Sequence, residues 1–113
     1  MPGGKIQTAD KENIMEINKT VEGDTLILAP VDKIDTTTAP ELEKTVNSSL
    51  DGINTLIFDM KDLNYISSSG LRVLLASHKA MIRKGGMIIK NAGPRIMEVF
   101  EITGFDCILN IEN

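Results

Sequence analysis

The pattern of apolar and polar positions begins with two short strand-like segments. Residues 15–18 alternate strictly, which predicts a half-buried strand, and residues 26–29 form a second apolar segment. We expect Pro30 to mark the end of this second strand or an edge of the sheet, because proline donates no backbone hydrogen bond to a sheet. Glu22-Gly23-Asp24 between the segments is turn chemistry, so the two strands predict an antiparallel hairpin.

The spacing then changes to that of an amphipathic helix. Thr38 followed by Glu41 is a capping-box sequence, and Pro40 is tolerated in a first helical turn. We therefore expect the helix to begin at Thr38. Its apolar positions recur at every fourth residue: Leu42, Val46 and Leu50.

The second half of the chain continues with strand and helix units. Residues 55–60 are nearly all apolar, as expected of a central strand covered on both faces. Three serines and a glycine follow, Ser67-Ser68-Ser69-Gly70, which we call the serine tract. A helix with an apolar stripe is predicted from this tract to Gly85-Gly86, because glycine is a common helix stop.

The remaining segments complete an α/β order. They are a short strand at residues 87–89, a helix opened by Pro94 and stopped by Gly104, and a last strand at residues 107–109. Strand–helix–strand units require parallel pairing with right-handed crossovers. The prediction is an α/β fold with a mixed sheet of four to five strands, an opening hairpin and three to four packing helices.

Length and composition limit the chain to one domain of ordinary globular type. It has 113 residues, of which 42% are hydrophobic and 4% aromatic. Residues 1–13 are polar and show no period, which predicts a flexible N-terminal leader before a domain at residues 14–113. The net charge of −4 and the absence of a basic run disfavour nucleic acid and anionic membranes as partners.

Few residues offer redox, metal or cofactor chemistry. Cys107 and His78 are the only cysteine and histidine, which excludes an internal disulfide and a zinc cluster of these ligands. A single thiol fits a reducing cytoplasm, and Cys107 is interpreted as a small core residue. No glycine-rich phosphate loop occurs, so no cofactor is expected. Asp59 and Asp62 make a weak Mg²⁺ pair, and solvated loop or cap roles are favoured.

Catalysis is disfavoured by the position of the one histidine. A serine hydrolase needs an imidazole within hydrogen-bond reach of its serine. On one helix, His78 would lie ~13 Å along the axis from Ser69. His78 also falls on the apolar stripe, which favours a packed or partly covered side chain. We therefore expect a protein that is not an enzyme.

The serine tract has two interpretations from spacing alone. A helix N-terminus leaves about four backbone N–H groups unpaired and carries a partial positive charge. One serine can therefore cap the helix, and a phosphate on another would lie beside favourable dipoles. Gly70 in the first turn costs up to ~1 kcal/mol of helix propensity, which indicates that something approaches the backbone closely there.

The sequence around the serine tract resembles the signature of a known family. Residues 62–74, Asp-Leu-Asn-Tyr-Ile-Ser-Ser-Ser-Gly-Leu-Arg-Val-Leu, are similar to the signature of STAS domains, specifically bacterial anti-sigma-factor antagonists. The resemblance covers most of residues 14–111. It includes residues 34–42 before the first helix, Gly85-Gly86 after the second, and residues 100–105 near the end.

The resemblance implies a regulator controlled by phosphorylation. In the family, the unphosphorylated antagonist binds an anti-sigma factor that is also a serine kinase of the histidine-kinase-like ATPase fold. The kinase phosphorylates the serine or threonine before the motif glycine, here Ser69, and a PP2C-type phosphatase reverses the reaction. The acidic residue ahead of the first helix, part of the family's partner surface, corresponds to Asp35. The residues assigned by resemblance to partner binding are Asp35, Thr38, Ser67, Ser68, Ser69, Gly70, Leu71 and Arg72.

Two departures from the family pattern keep other interpretations open. Ser67 stands where phosphorylated members commonly have aspartate, and Asp32 stands where glycine is usual. The alternatives are a scaffold module that is never phosphorylated, or a sensor that binds a small anion such as a nucleotide at the serine-rich helix start.

Overall fold

An opening hairpin is followed by strands and helices that are mixed along the chain. The structure, a computed structural model, describes residues 15–113, and the predicted leader at residues 1–13 lies outside them. The elements, in chain order, are β1 (Ile17–Glu22), β2 (Thr25–Pro30), β3 (Asp32–Ile34), α1 (Ala39–Ser49), β4 (Thr55–Asp59), β5 (Leu63–Ile66), α2 (Ser68–Met81), β6 (Met87–Lys90), α3 (Pro94–Thr103), a 3₁₀ helix (Phe105–Cys107) and β7 (Asn110–Ile111).

Five of the strands form one mixed sheet in the order β1-β2-β4-β6-β7. The first pair is antiparallel and every other pair in this sheet is parallel. Gly23 occupies the hairpin turn at φ 65°, a conformation that glycine adopts without a Cβ penalty. The predicted α/β class, the mixed sheet and the opening hairpin are confirmed.

The core lies against one face of this sheet. Leu26 is in register with Leu56, which is in turn in register with Met87, and all three are buried. The neighbouring position of β4, Ile57, is only half-buried. The prediction that this strand is covered on both faces was therefore wrong, because alternate side chains of a strand point to opposite faces and only one faces the helices.

The three α-helices follow the predicted boundaries closely. Gly104, at φ 82°, ends α3, and the N–H of Gly86, at φ 96°, donates to the Met81 carbonyl at 3.0 Å behind α2. Gly104 confirms the predicted stop of α3. α2 ends at Met81, before the predicted stop at Gly85-Gly86, and residues 82–85 form a turn. Within the described residues, no helix combines the length and apolarity that crossing a membrane requires.

The end of the chain departs from the prediction. Residues 105–107 form the 3₁₀ helix, and the last strand is Asn110–Ile111 rather than residues 107–109. Cys107 is exposed, so its assignment to the core was wrong. The turn at Gly104 directs Leu109 into the core instead, where it is buried.

Candidate functional site

Two short strands outside the main sheet bring the candidate residues together. β3 and β5 pair in parallel with Ile34 opposite Ile66, and the Ser67 N–H donates to the Ile34 carbonyl at 2.8 Å. Asp35 and Ser67 directly follow these paired positions. The loop before α1 and the start of α2 therefore leave the strand pair side by side.

This strand pair was absent from the predicted elements. β3 has three residues and β5 has four, with buried positions only at Ile34, Leu63 and Ile66. Such segments are too short to show a period of two. The one usable signal was that Ile34 and Ile66 each stand immediately before a polar run.

Asp35 organises the loop that precedes α1. Its Oδ1 accepts hydrogen bonds from the Thr37 hydroxyl at 2.7 Å, the Thr37 N–H at 2.9 Å and the Thr38 N–H at 3.0 Å. The Thr37 hydroxyl and the Thr38 N–H are the main causes that lower the pKa of Asp35 to about 2, against a partial desolvation that raises it. The carboxylate is thus held ionised, with Lys33 Nζ 3.7 Å from its Oδ2.

The predicted capping box at Thr38 is not formed. Thr38 stands at the N-cap of α1, but its side chain makes no capping hydrogen bond. Its Oγ1 instead accepts from the Asp35 N–H at 2.8 Å and lies 3.2 Å from both the Lys33 carbonyl and the Asp35 carboxylate, to which it can donate its single hydrogen. An ionised carboxylate is the stronger acceptor, so the Asp35 loop replaces the local threonine cap.

The three serines of the serine tract differ in hydrogen bonding and in exposure. Ser67 is the N-cap of α2, and its hydroxyl accepts the Gly70 N–H at 3.3 Å, as expected for one capping serine. Ser68 is exposed and Ser69 is half-buried. Ser69 is therefore free of the capping role and occupies the second helical position.

Gly70 is packed against the strand pair. A Cβ added at Gly70 would lie 2.7 Å from both Ile34 Cγ2 and Ile66 Cγ1. The close approach predicted at this glycine therefore comes from the protein's own core. It seats the first turn of α2 directly on β3 and β5.

A cleft of about 330 Å³ opens between α1 and α2 beside the tract. Ser69 lies on one wall, and Arg72 follows one turn later on the same helix. Glu43 faces them from α1. The rest of the lining consists of Thr36, Ala39, Pro40, Val73 and Ala76.

The residues assigned to partner binding differ in exposure. Ser68 and Arg72 are exposed, whereas Asp35, Ser67 and Ser69 are half-buried. The remaining members are buried; they are Thr38, Gly70 and Leu71.

Asp59 is the last residue of β4, and Asp62 lies in the turn that follows, with its Oδ2 3.8 Å from Lys61 Nζ. Asp59 accepts from the Lys61 N–H at 3.1 Å and from Asn91 Nδ2 at 3.0 Å. Burial raises the pKa of Asp59, but these hydrogen bonds and the Lys61 charge outweigh it and hold that pKa below its ordinary value. In the part of the chain that the structure describes, no group of three or more His, Cys, Asp or Glu is placed to hold a metal ion.

His78 is half-buried on α2, in agreement with a partly covered side chain. Its Nδ1 is buried and has no hydrogen-bond partner among residues 15–113. It does not line the cleft that contains Ser69.

Comparison with known proteins identifies the family. The STAS domain family model matches residues 16–113. The chain belongs to the STAS domain family. The anti-sigma-B factor antagonist of Bacillus subtilis is 31% identical over 103 residues, which are 89% of this chain and 85% of that protein. The resemblance drawn from the serine-tract signature is thereby confirmed.

Solved structures share this STAS fold at lower sequence identity. An anti-sigma factor antagonist from Mycobacterium paratuberculosis superposes with a TM-score of 0.79 at 21% identity, covering 88% of this chain and 86% of that one. The antagonist SpoIIAA in its unphosphorylated form has a TM-score of 0.67 at 16% identity, with 88% of each chain covered. At these identities the likeness establishes the fold.

Proposed function

We propose that this protein is an anti-sigma factor antagonist that regulates sigma-factor-dependent transcription. The unphosphorylated protein binds an anti-sigma factor and so releases the sigma factor that the latter holds. The observation that carries the proposal is the side-by-side placement of the Asp35 loop and the serine tract by β3 and β5. Relatives named anti-sigma-B factor antagonists support the same assignment.

The partner surface that we propose is centred on the exposed start of α2. Ser68 and Arg72 supply accessible side chains, and the half-buried Asp35 adds a fixed negative charge at the adjacent loop. The hydrogen bonds around Asp35 tie its carboxylate to Thr37 and Thr38 of the same loop. A preorganised surface of this kind loses less conformational entropy when it docks.

The switch that we propose is phosphorylation of Ser69. The anti-sigma factor is then itself a serine kinase of the histidine-kinase-like ATPase fold, and a PP2C-type phosphatase restores the antagonist. Phosphate adds about −1.5 to −2 charges, which the N-terminus of α2 tolerates within the domain. At a docked surface the same group adds bulk and repulsion, and a loss of ~3–4 kcal/mol weakens binding several-hundredfold.

On this proposal the protein works in the cytoplasm as a binding regulator and has no catalytic activity of its own. Ser69 is the phosphate acceptor in the reaction of the kinase, since no imidazole of the described chain lines its cleft. Hydrogen bonds from its own loop lower the pKa of Asp35 from the ordinary 3.8 to about 2, further from neutral pH, which suits a fixed recognition charge better than a proton carrier.

A second candidate is a constitutive interaction module. The observation that favours it is that Ser67, which stands in place of the family's usual aspartate, is accounted for as the cap of α2. On this alternative the same face binds a protein partner and Ser69 is never phosphorylated. The Ser69→Asp variant would then bind as the native protein does.

The experiment that separates these candidates is affinity capture from a lysate of the source organism. Three baits are compared by mass spectrometry: the native protein, Ser69→Asp, and Ser48→Asp as a matched charge on the exposed surface of α1. We expect the native and Ser48→Asp baits to retain an ATP-binding anti-sigma kinase and Ser69→Asp to lose it. Equal retention by all three would contradict the switch, provided that circular dichroism shows all three folded.

A further inference from the structure

We propose that Arg72 is the positioning residue that holds a phosphate on Ser69 inside the cleft between α1 and α2. This inference rests on the proposed phosphorylation of Ser69 and adds the device that retains the phosphate once it is attached. The phosphoryl group is then kept within the domain as a paired charge, and the fold is left intact.

The first support is geometric. Ser69 and Arg72 are three residues apart on one helix, a spacing that brings Cβ atoms to about 5–6 Å. Both line the same cleft. Arg72 is exposed and makes no salt bridge with any of residues 15–113, so its guanidinium is available. A guanidinium donates two parallel N–H groups to phosphate oxygens, which a lysine does not.

The second support is the charge of the surroundings. Glu43 lies across the cleft on α1, and Asp35 is ionised beside the start of α2. Lys33, the nearest cation of that loop, lies 3.7 Å from Asp35. Of the residues that line the cleft, Arg72 carries the positive charge. Without it, the one charged side chain among the lining residues would be Glu43, which repels a phosphate on Ser69.

Backbone donors complete the arrangement. The Gly70 N–H is used by the Ser67 cap, whereas the N–H groups of Ser68 and Ser69 have no acceptor within residues 15–113. The first turn of α2 therefore presents free donors next to the side chain of Ser69, and Arg72 supplies the charge that these donors lack.

The test uses full-length protein with genetically encoded phosphoserine at position 69, so no native kinase is required. The second pKa of the phosphate, near 6 in the free group, is followed by ³¹P NMR. We expect Arg72→Gln to raise this pKa by about 0.7 unit, the shift that one unit charge at about 4 Å produces in water. Glu43→Gln should lower it.

The matched control is Arg83→Gln, which removes the same charge just beyond the other end of α2. It should leave the phosphate pKa within about 0.2 unit, because exposed charges more than about 10 Å apart are largely screened at 0.1 M salt. Equal titrations of the Arg72→Gln and Arg83→Gln proteins would overturn the proposal. Failure of the proposed function would be observed differently. The phosphorylated protein would then still bind its anti-sigma partner, whatever the ³¹P titration shows.

Discussion

Replacing Gly70 with alanine gives opposite expectations from helix propensity and from packing. Gly70 lies in the first turn of α2 and its φ is not in the left-handed region, so alanine suits its backbone. Propensity alone predicts that Gly70→Ala stabilises the helix by up to ~1 kcal/mol. The contacts of the site predict the reverse.

The magnitude follows from the distances to the strand pair. The new Cβ would lie 2.7 Å from Ile34 Cγ2, 2.7 Å from Ile66 Cγ1 and 3.1 Å from Ile34 Cβ. Carbon atoms prefer separations of about 3.5–4.0 Å. Both isoleucines are buried and cannot move aside easily. Over-packing costs ~1–3 kcal/mol, and two simultaneous overlaps place this case near the upper end. The net destabilisation should be ~1–2 kcal/mol.

The assay is urea unfolding followed by far-ultraviolet circular dichroism, with thermal melts in parallel. We expect Gly70→Ala to lower the melting temperature by about 4–10 °C. Ala76→Gly is the matched control, because Ala76 is exposed on the same helix and reports propensity without core packing. It should cost up to ~1 kcal/mol. A Gly70→Ala protein as stable as the native one would refute the close seating of α2 on β3 and β5.

Three further predictions concern the loops around the site. Ser67→Ala should cost ~1 kcal/mol in urea unfolding and Ser67→Asp should not, because only alanine leaves the Gly70 N–H without its cap; equal loss in both would contradict the cap. Asp32 stands at φ 73°, so Asp32→Gly should raise stability by ~0.5–1 kcal/mol whereas Asp32→Ala should lower it; a less stable glycine variant would contradict the strain. Asp35 has a folded-state pKa of about 2, below the ordinary 3.8, so its ionised form stabilises the fold above pH 4 and this contribution is lost as the pH falls from about 4 to 2. The melting temperatures of the native and Asp35→Asn proteins should therefore converge over that interval, and a constant difference would contradict the assignment.

Much of the fold was predictable because its signals are local. The hairpin turn at Gly23 and the helix stop at Gly104 both use a glycine with positive φ. Each could therefore be predicted from a glycine in the sequence. The strand pair β3 and β5 was missed because its two members are too short to show a period. Their pairing depends on a tertiary register that no local window contains.

The candidate site was predictable in membership and less so in geometry. The serine tract and Asp35 were identified from their motif, but the contact that brings them together is the Ile34–Ile66 register. The capping box at Thr38 failed because a stronger acceptor, Asp35, lies within reach of the same backbone. The charge of Glu43 opposite Ser69 arises from the packing of α1 against α2, which residue spacing along one helix cannot reveal.

The proposed switch at Ser69 is tested by the affinity of the captured anti-sigma factor for two forms of this protein. Isothermal titration compares the unmodified chain with the chain carrying encoded phosphoserine at Ser69, and phosphoserine at Ser48 serves as the control. Phosphate at Ser69 should raise the dissociation constant several-hundredfold, or ~3–4 kcal/mol, while phosphate at Ser48 should leave it nearly unchanged. Dissociation constants within about threefold of one another for the unmodified and Ser69-phosphorylated chains, a difference below ~1 kcal/mol, would contradict the proposed switch.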